Sequence, residues 1–487
     1  MRCSSISAIL LASFFGWAAL FHASQVSAAP PNVVFILADD LGYSDLACYG
    51  SKYYETPNLD KLAKQGLRFT DAHTCGLNCQ PTRAALMTGQ YGPRTGVYTV
   101  GGIDRFDWQS RPLKPVDNVT QLDLQKKTVA DCLAANGYKT GMFGKWHLGG
   151  DAAHHPSKRG FAEAIESAGK HFDFKTSPAT DYPKGQYLAD FLTDKAVDFI
   201  TRHKDEPFFL YVPHYGVHAP HDAKPELIAK FKDKAAANGH HDPAYAAMIY
   251  SVDESVGRIL AKLDELKLSE NTLVIFSSDN GGVGGYGELG TGKGITENIP
   301  LRGGKGMLFD GGHRVPFIAR WPGKIPAGKT TDKQIISVDL LPTLVDVTKS
   351  KAPADQPLDG TSLLPLFSSG GESGLADRAI FWHFPGYLGQ GAGAWRTTPG
   401  GAIRAGDWKL IEYFEDGHVE LYNLASDIGE KKNVAKEQPE KAKELLAKLQ
   451  TWRKEVNAPM PTKNTPTAGE AKKGKAGKKK AKSADDE

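Results

Sequence analysis

Asn32-Val33-Val34-Phe35-Ile36-Leu37-Ala38 is an unbroken apolar run behind one polar residue, and it ends in Asp39-Asp40-Leu41-Gly42. The run has the length of a strand. Apolar residues without alternation point to a strand buried on both faces of a parallel sheet. Ligands bind beyond the carboxyl ends of such strands. Two adjacent acids there repel each other unless a cation lies between them, although an aspartate at a strand end also caps a helix well. The layout recurs at Leu273-Val274-Ile275-Phe276-Ser277-Ser278, which runs into Asp279-Asn280-Gly281-Gly282. Side by side, these strand ends would gather three carboxylates and one amide oxygen. An all-oxygen set suits Ca²⁺ or Mg²⁺ rather than Zn²⁺. Pro207-Phe208-Phe209-Leu210-Tyr211-Val212 is a third strand of this kind. The expected fold is α/β, a large mixed, mostly parallel sheet flanked by helices.

Cys79-Gln80-Pro81-Thr82-Arg83 lies between the two acidic strand ends and reads as a loop entering a helix that stops at Gly89. Cys79 then sits at the positive end of that helix, and Arg83 is spaced to reach back toward it. Taken alone, Cys79 also reads as a buried thiol or as half of a Cys75–Cys79 disulfide. A second helix is expected over Lys127–Gly137, followed by a strand over Lys139–His147. On a strand, Lys145 and His147 share one face, a useful pair beside an oxyanion. His214, His218 and His221 follow the third strand with a spacing that fits no usual zinc motif. Ala244–Leu266 has the pattern of a long amphipathic helix. From Gly281 to Gly306 the chain is dense in glycine, and no regular element fits.

Several of these strings resemble the type I sulfatases, enzymes of the alkaline phosphatase superfamily. They are Cys79-Gln80-Pro81-Thr82-Arg83 with its Ala-Leu-Met-Thr-Gly tail, Arg94-Thr95-Gly96-Val97, Gly144-Lys145-Trp146-His147-Leu148-Gly149, and Leu301-Arg302-Gly303-Gly304-Lys305. The resemblance runs from about Pro31 to Val434. It implies that Cys79 is oxidised to formylglycine, whose hydrate attacks sulfur. It implies a divalent ion, usually Ca²⁺, on Asp39, Asp40, Asp279 and Asn280, with residue 79 as formylglycine completing the set. It also gives Arg83, Lys145, His147, His218 and Lys305 catalytic roles. His218 is selected by the family's Val-His-x-Pro pattern. His313 stands where many relatives carry an apolar residue, which leaves a substrate contact or a packed histidine.

With 40% apolar and 24% charged residues in 487, the chain is that of a soluble globular protein with room for a large core. Arg2, the apolar run Ile9–Phe21 and Val26-Ser27-Ala28 form an export signal, with cleavage near Ala28 or Ala29. The protein is therefore expected to be periplasmic or secreted, with no stable membrane span. The expected division is a signal over 1–28, a catalytic domain over 29–355, a smaller α+β domain with an antiparallel sheet over 356–460, and a disordered lysine-rich tail over 461–487. Seven lysines in residues 471–482 exceed the net charge of +3, so the rest of the chain is mildly acidic. No nucleic-acid partner is expected. Cys48, Cys75, Cys79 and Cys132 do not make a disulfide scaffold. The Asn118-Val119-Thr120 sequon matters only in a glycosylating host.

The resemblance implies a sulfuric ester hydrolase, and the expected export favours a sulfated polysaccharide or oligosaccharide as its substrate. A formylglycine-generating maturation enzyme is the expected partner. Alternatives are a phosphonate monoester or phosphodiester hydrolase of the same superfamily, and a non-catalytic glycan-binding protein on that scaffold. The loop 383–400, with His383, Phe384, Tyr387, Trp395 and Arg396, offers aromatic and basic groups for a sugar, or packing between domains.

Overall fold

The apolar run after Asn32 forms strand β1 (Asn32–Ala38), and its side chains alternate between two separate cores. Val34, Ile36 and Ala38 enter one core; Val33, Phe35 and Leu37 enter the other. Each fully buried side chain of this kind contributes about 2 kcal/mol. The structure is a computed structural model that describes residues 29–287, 294–391 and 394–466. The expected signal over 1–28 and most of the expected tail, from residue 467, lie outside the described residues.

β1 is central in an eight-stranded sheet. The other strands are β2 (Leu67–Phe69), β3 (Lys139–Gly144), β4 (Glu163–Glu166), β5 (Phe208–Pro213), β6 (Thr272–Ser278), β7 (Phe317–Arg320) and β8 (Lys329–Thr331). The spatial order is β8-β2-β7-β6-β1-β5-β3-β4. Only β7 runs against its neighbours β2 and β6. Helices α1 (Pro57–Lys64), α4 (Leu188–Arg202) and α5 (Pro243–Glu265) cover one face. Helices α2 (Cys79–Thr88), α3 (Val129–Ala135) and α6 (Leu340–Thr348) cover the other.

Beyond this body the chain forms a second sheet from β9 (Ala379–Phe384), β12 (Gly400–Ala405), β13 (Trp408–Tyr413) and β14 (Val419–Asn423), antiparallel throughout. The hairpin β10 (Leu388–Gly391) and β11 (Ala394–Thr397) lies between β9 and β12. Helix α7 (Pro439–Glu455) packs Leu445, Leu449 and Trp452 onto the second sheet. That third core also contains Leu77 and Ala85 from around α2, and Met307 and Leu308.

Two expectations change. The strand expected over Lys139–His147 stops at Gly144. Gly144 has φ +141°, and a Cβ there would lie 1.9 Å from the Pro213 carbonyl oxygen, so the backbones touch and the chain turns. All four described cysteines are free, which removes the Cys75–Cys79 bridge. The Asn118 side chain is already committed, accepting from the Tyr98 and Thr99 amides and donating to the Thr99 and Gly101 carbonyls. No helix among the described residues is long and apolar enough to cross a membrane.

His214 and His383 are buried, and burial holds both imidazoles down to about 4. In the unfolded chain they titrate near 6.5. Between these values the unfolded state binds protons that the folded state refuses, so stability falls as pH falls and levels off below about 4. From pH 7 to pH 5 the expected loss is about 2 kcal/mol per histidine. Denaturant midpoints of the wild type and of His383→Gln, which keeps a donor toward the Pro459 carbonyl, test this. The variant should lose less stability on acidification than the wild type; an equal loss contradicts the assignment.

Candidate active site

The register of β1 on β6 sets Ala38 opposite Ser278, so the two strands end together. Asp39 and Asp40 therefore meet Asp279 and Asn280, and all four are at most 2% exposed. The Asp40 amide donates to Asp279 Oδ1 at 3.2 Å, and Asn280 Nδ2 donates to Asp40 Oδ1 at 2.8 Å. Asp40 has φ +66°, a conformation that costs a non-glycine residue energy and marks a constrained position. Tyr245 on α5 steadies it by donating to the Asp40 carbonyl and to Asp45 Oδ2.

Helix α2 starts on the extended Asn78 and ends at Gly89, which adopts the left-handed conformation. Every residue of α2 is buried, because the helix lies between the main sheet and the second one. Cys79 opens the helix, with a sulfur within 4.8 Å of oxygens of Asp39 and Asp279. Burial pushes its thiol pKa up against the pull of Lys145 and Lys305. An unmodified Cys79 is therefore a protonated thiol and a weak nucleophile at neutral pH. One turn on, Arg83 donates from Nε and Nη2 to Asp279 Oδ2 at 2.9 and 2.6 Å, and from Nη1 to the Lys145 carbonyl.

Lys145 and His147 come from the turn after β3 rather than from a strand face. Lys145 Nζ lies 2.6 Å from Asp39 Oδ2. His147 has φ +65°, and its buried Nδ1 has no hydrogen-bond partner among the described residues. Burial, reinforced by Lys145 and Arg83, keeps it neutral well below the usual range. His218 donates from Nδ1 to the Ala219 carbonyl at 2.7 Å, which leaves Nε2 3.8 Å from Asp40 Oδ2. Burial and Lys145 lower its pKa to about 4. Lys305 Nζ lies 3.0 Å from Asp40 Oδ2. All residues expected at the site are thus brought together.

The charges explain what the site lacks. Three carboxylates face Arg83, Lys145 and Lys305, and all six groups are buried. Burial and the neighbouring Asp39 push Asp279 up, whereas Lys145 and Arg83 overcome burial and hold Asp39 well below the carboxylate range. The basic side chains use one oxygen of each acid: Asp39 Oδ2, Asp40 Oδ2 and Asp279 Oδ2. Asp39 Oδ1 and Asn280 Oδ1 remain buried with no partner among the described residues. Asn280 cannot be reversed, because its Nδ2 already donates to Asp40 and to the Gly281 carbonyl. Orphaned buried oxygens are costly, and a hard cation satisfies them. The residues present fit such an ion.

Several organising residues carry no local signal. Asn298 donates to the carbonyls of Gly282 and Gly303 and accepts from the Gly282 amide. Asn118 holds Thr99, which accepts from Asn78 beside Cys79. His171 Nε2 donates to the His218 carbonyl at 2.8 Å. His214 is buried in the core against Ser255, and His221 packs its ring on Tyr245. His313 is fully buried against His73 and Trp382, so it is a packed histidine and not a substrate contact.

Comparison with known proteins agrees with this geometry. The Sulfatase family model matches residues 31–350, and the model of N-sulphoglucosamine sulphohydrolase, C-terminal, matches residues 304–457. A protein named sulfatase from Formosa agariphila is 34% identical over 88% of this chain and 90% of its own length. The N-acetylgalactosamine-6-sulfatase of Canis lupus familiaris is 34% identical over 77% of this chain and 73% of its own. The crystal structure of Ps i-CgsB in complex with k-i-k-neocarrahexaose superposes with a TM-score of 0.73 at 30% identity, covering 87% of this chain and 92% of that one. The strand-end carboxylates, the buried cysteine at a helix start and the ring of basic side chains thus lie on an alkaline-phosphatase-like fold, and the chain belongs to the sulfatase family, the sulfuric ester hydrolases.

Proposed function

We propose that this sulfatase hydrolyses sulfate monoesters on a sulfated polysaccharide or oligosaccharide. Its nucleophile would be formylglycine made from Cys79. Its divalent cation, Ca²⁺ in preference to Mg²⁺, would be held by Asp39, Asp40, Asp279, Asn280 and the modified residue 79. The observation that carries this is the pair of orphaned oxygens, Asp39 Oδ1 and Asn280 Oδ1, beside a buried cysteine whose thiol is a poor nucleophile. The names of relatives at 30% identity or more support a sugar substrate: an N-acetylgalactosamine-6-sulfatase and a complex with neocarrahexaose. An exported location, periplasmic or secreted, and a formylglycine-generating maturation enzyme complete the reading, together with domains over 29–355 and 356–460.

When present, the cation and the aldehyde hydrate supply charge cancellation and an oxygen nucleophile. The acids and bases of the chain balance each other, so a bound divalent ion leaves the site positive and ready for an anionic sulfate ester. Lys145 and Lys305 would hold sulfate oxygens, with Arg83 paired to Asp279 behind them. The leaving alcohol oxygen needs a proton. Lys305, whose ammonium is stabilised by Asp40 against burial, carries one at neutral pH. His218 does so once the charge of the bound ester raises its proton affinity. His147 is neutral, and its Nδ1 has no partner among the described residues, which suits it to take the proton whose departure releases sulfate.

Three outcomes are expected. Mass spectrometry of the peptide holding residue 79, from cells that mature a control sulfatase, should find an aldehyde oxygen in place of sulfur; a persistent thiol beside a converted control overturns the nucleophile. Cys79→Ala should lower sulfate release by at least about a thousandfold while the protein stays folded. Chelation should abolish activity, Ca²⁺ should restore it, and saturating Ca²⁺ should add about 3 kcal/mol to the stability of the stripped protein. Asp279→Ala should show no such gain in a thermal melt; an unchanged gain places the ion elsewhere.

A further inference from the structure

A second buried ion cluster lies away from the site, where the second sheet meets the main body. Asp310 is its centre and is fully buried. Lys409 on β13 reaches Asp310 Oδ1 at 2.7 Å and Glu430 Oε1 at 2.8 Å. Arg404 on β12 reaches Asp71 at 2.9 Å and Asp310 Oδ2 at 3.2 Å. Arg314 lies 3.4 Å from Asp310 Oδ2. His73 Nδ1 and His313 Nδ1 are 3.1 Å apart, and burial holds both rings neutral. His73, Asp310 and His313 could by spacing ligate a metal. Lys409, 3.2 Å from His313 Nε2, and Arg404 already supply the cationic partners at that spot. The cluster is balanced, Asp71, Asp310 and Glu430 against Arg314, Arg404 and Lys409.

Its connections lead to the active site. Glu430 accepts the Asp310 amide at 2.7 Å, and its carbonyl accepts from Arg302 Nη1 at 2.8 Å. Both ends of the segment 302–310 are thereby fixed to one residue of the C-terminal region, and Lys305 lies between them. The Gly311 amide closes the segment onto the Arg302 carbonyl at 2.8 Å. On the far side, the Gly281 amide donates to the Gly312 carbonyl at 3.0 Å, directly after Asn280. A Cβ on Gly281 would lie 1.8 Å from the Gly311 carbonyl oxygen, so the two backbones are in contact. The Lys305 amide donates to the Gly282 carbonyl at 3.0 Å.

We propose that this buried cluster is a positioning device through which the second sheet sets the active site, with Lys409 and Glu430 as positioning residues for Lys305. A buried acid held by two neighbouring strands fixes its loop in one place, and the loop carries the ammonium nearest Asp40. The proposal rests on the role assigned to Lys305 above.

The test is a double-mutant cycle with p-nitrophenyl sulfate as probe. Lys409→Met alone leaves two buried carboxylates short of a partner and risks unfolding. The cycle therefore uses the charge-balanced pair Lys409→Met with Glu430→Gln, and Glu430→Gln alone, which keeps an acceptor for the Asp310 amide. Each is made in the wild type and in Lys305→Ala. Folding is checked by circular dichroism, and conversion at residue 79 by mass spectrometry, so that lost maturation is not read as lost catalysis. In folded, converted protein, kcat should fall by about tenfold or more in the wild-type background. In Lys305→Ala the same substitutions should change kcat by less than about twofold, because the loop no longer carries the group. An equal fold-loss in both backgrounds reduces the cluster to general stability and overturns the proposal. A kcat within about twofold of wild type, in folded Glu430→Gln as in the pair, overturns it too. If Lys305→Ala by itself leaves kcat unchanged, the role of Lys305 fails and this proposal with it.

Discussion

Three carboxylates and three basic side chains buried together at the ends of two adjacent strands are the constraint on which the rest of this molecule depends. Buried charge is costly unless it is paired closely and hydrogen-bonded fully. Asp39, Asp40 and Asp279 are each paired only because four separate parts of the chain deliver partners to one point. Arg83 comes from α2, Lys145 from the turn after β3, Lys305 from the glycine-rich segment, and Asn280 from the end of β6. Removing any one of the basic partners leaves an uncompensated buried charge, so the site and the fold hold each other in place.

The pairing also explains the chemistry. The basic side chains satisfy one oxygen of each carboxylate and leave Asp39 Oδ1 and Asn280 Oδ1 without a partner among the described residues. Burial, reinforced by the same basic neighbours, keeps His147 and His218 neutral, which leaves imidazole nitrogens able to accept a proton rather than adding further positive charge. The second ion cluster, around Asp310, repeats the principle at the junction of the two sheets, where it fastens the segment carrying Lys305.

Legibility followed the length and uniformity of the local signal. The runs of β1, β5 and β6 are long and apolar because they are buried on two faces, and their positions were readable to within a residue. So was helix α5. β2, β4, β7 and β8 have three or four residues each and mixed composition, so they become strands only when neighbours supply the hydrogen bonds. β3 was read too long, since the contact of Gly144 with the Pro213 backbone is invisible without the neighbouring strand. The hairpin β10–β11 was read as loop for the same reason. Asn298, Asn118 and His171 are ordinary residues locally, and their roles exist only through backbone groups distant in sequence.

The amino-acid sequence by itself determined the kind of sheet, the acids at its strand ends, the cysteine at a helix start and the family these strings resemble. Each of those is a local pattern, a matter of periodicity, caps and short motifs, and needs no knowledge of what lies opposite. Tertiary structure alone decided the register that sets Asp39 beside Asp279, which carboxylate oxygens are taken and which are left open, and that His313 packs in an ionic cluster rather than facing a substrate. Those are relations between residues far apart in the chain, and a charge or a hydrogen bond acquires its partner only when folding brings the two together.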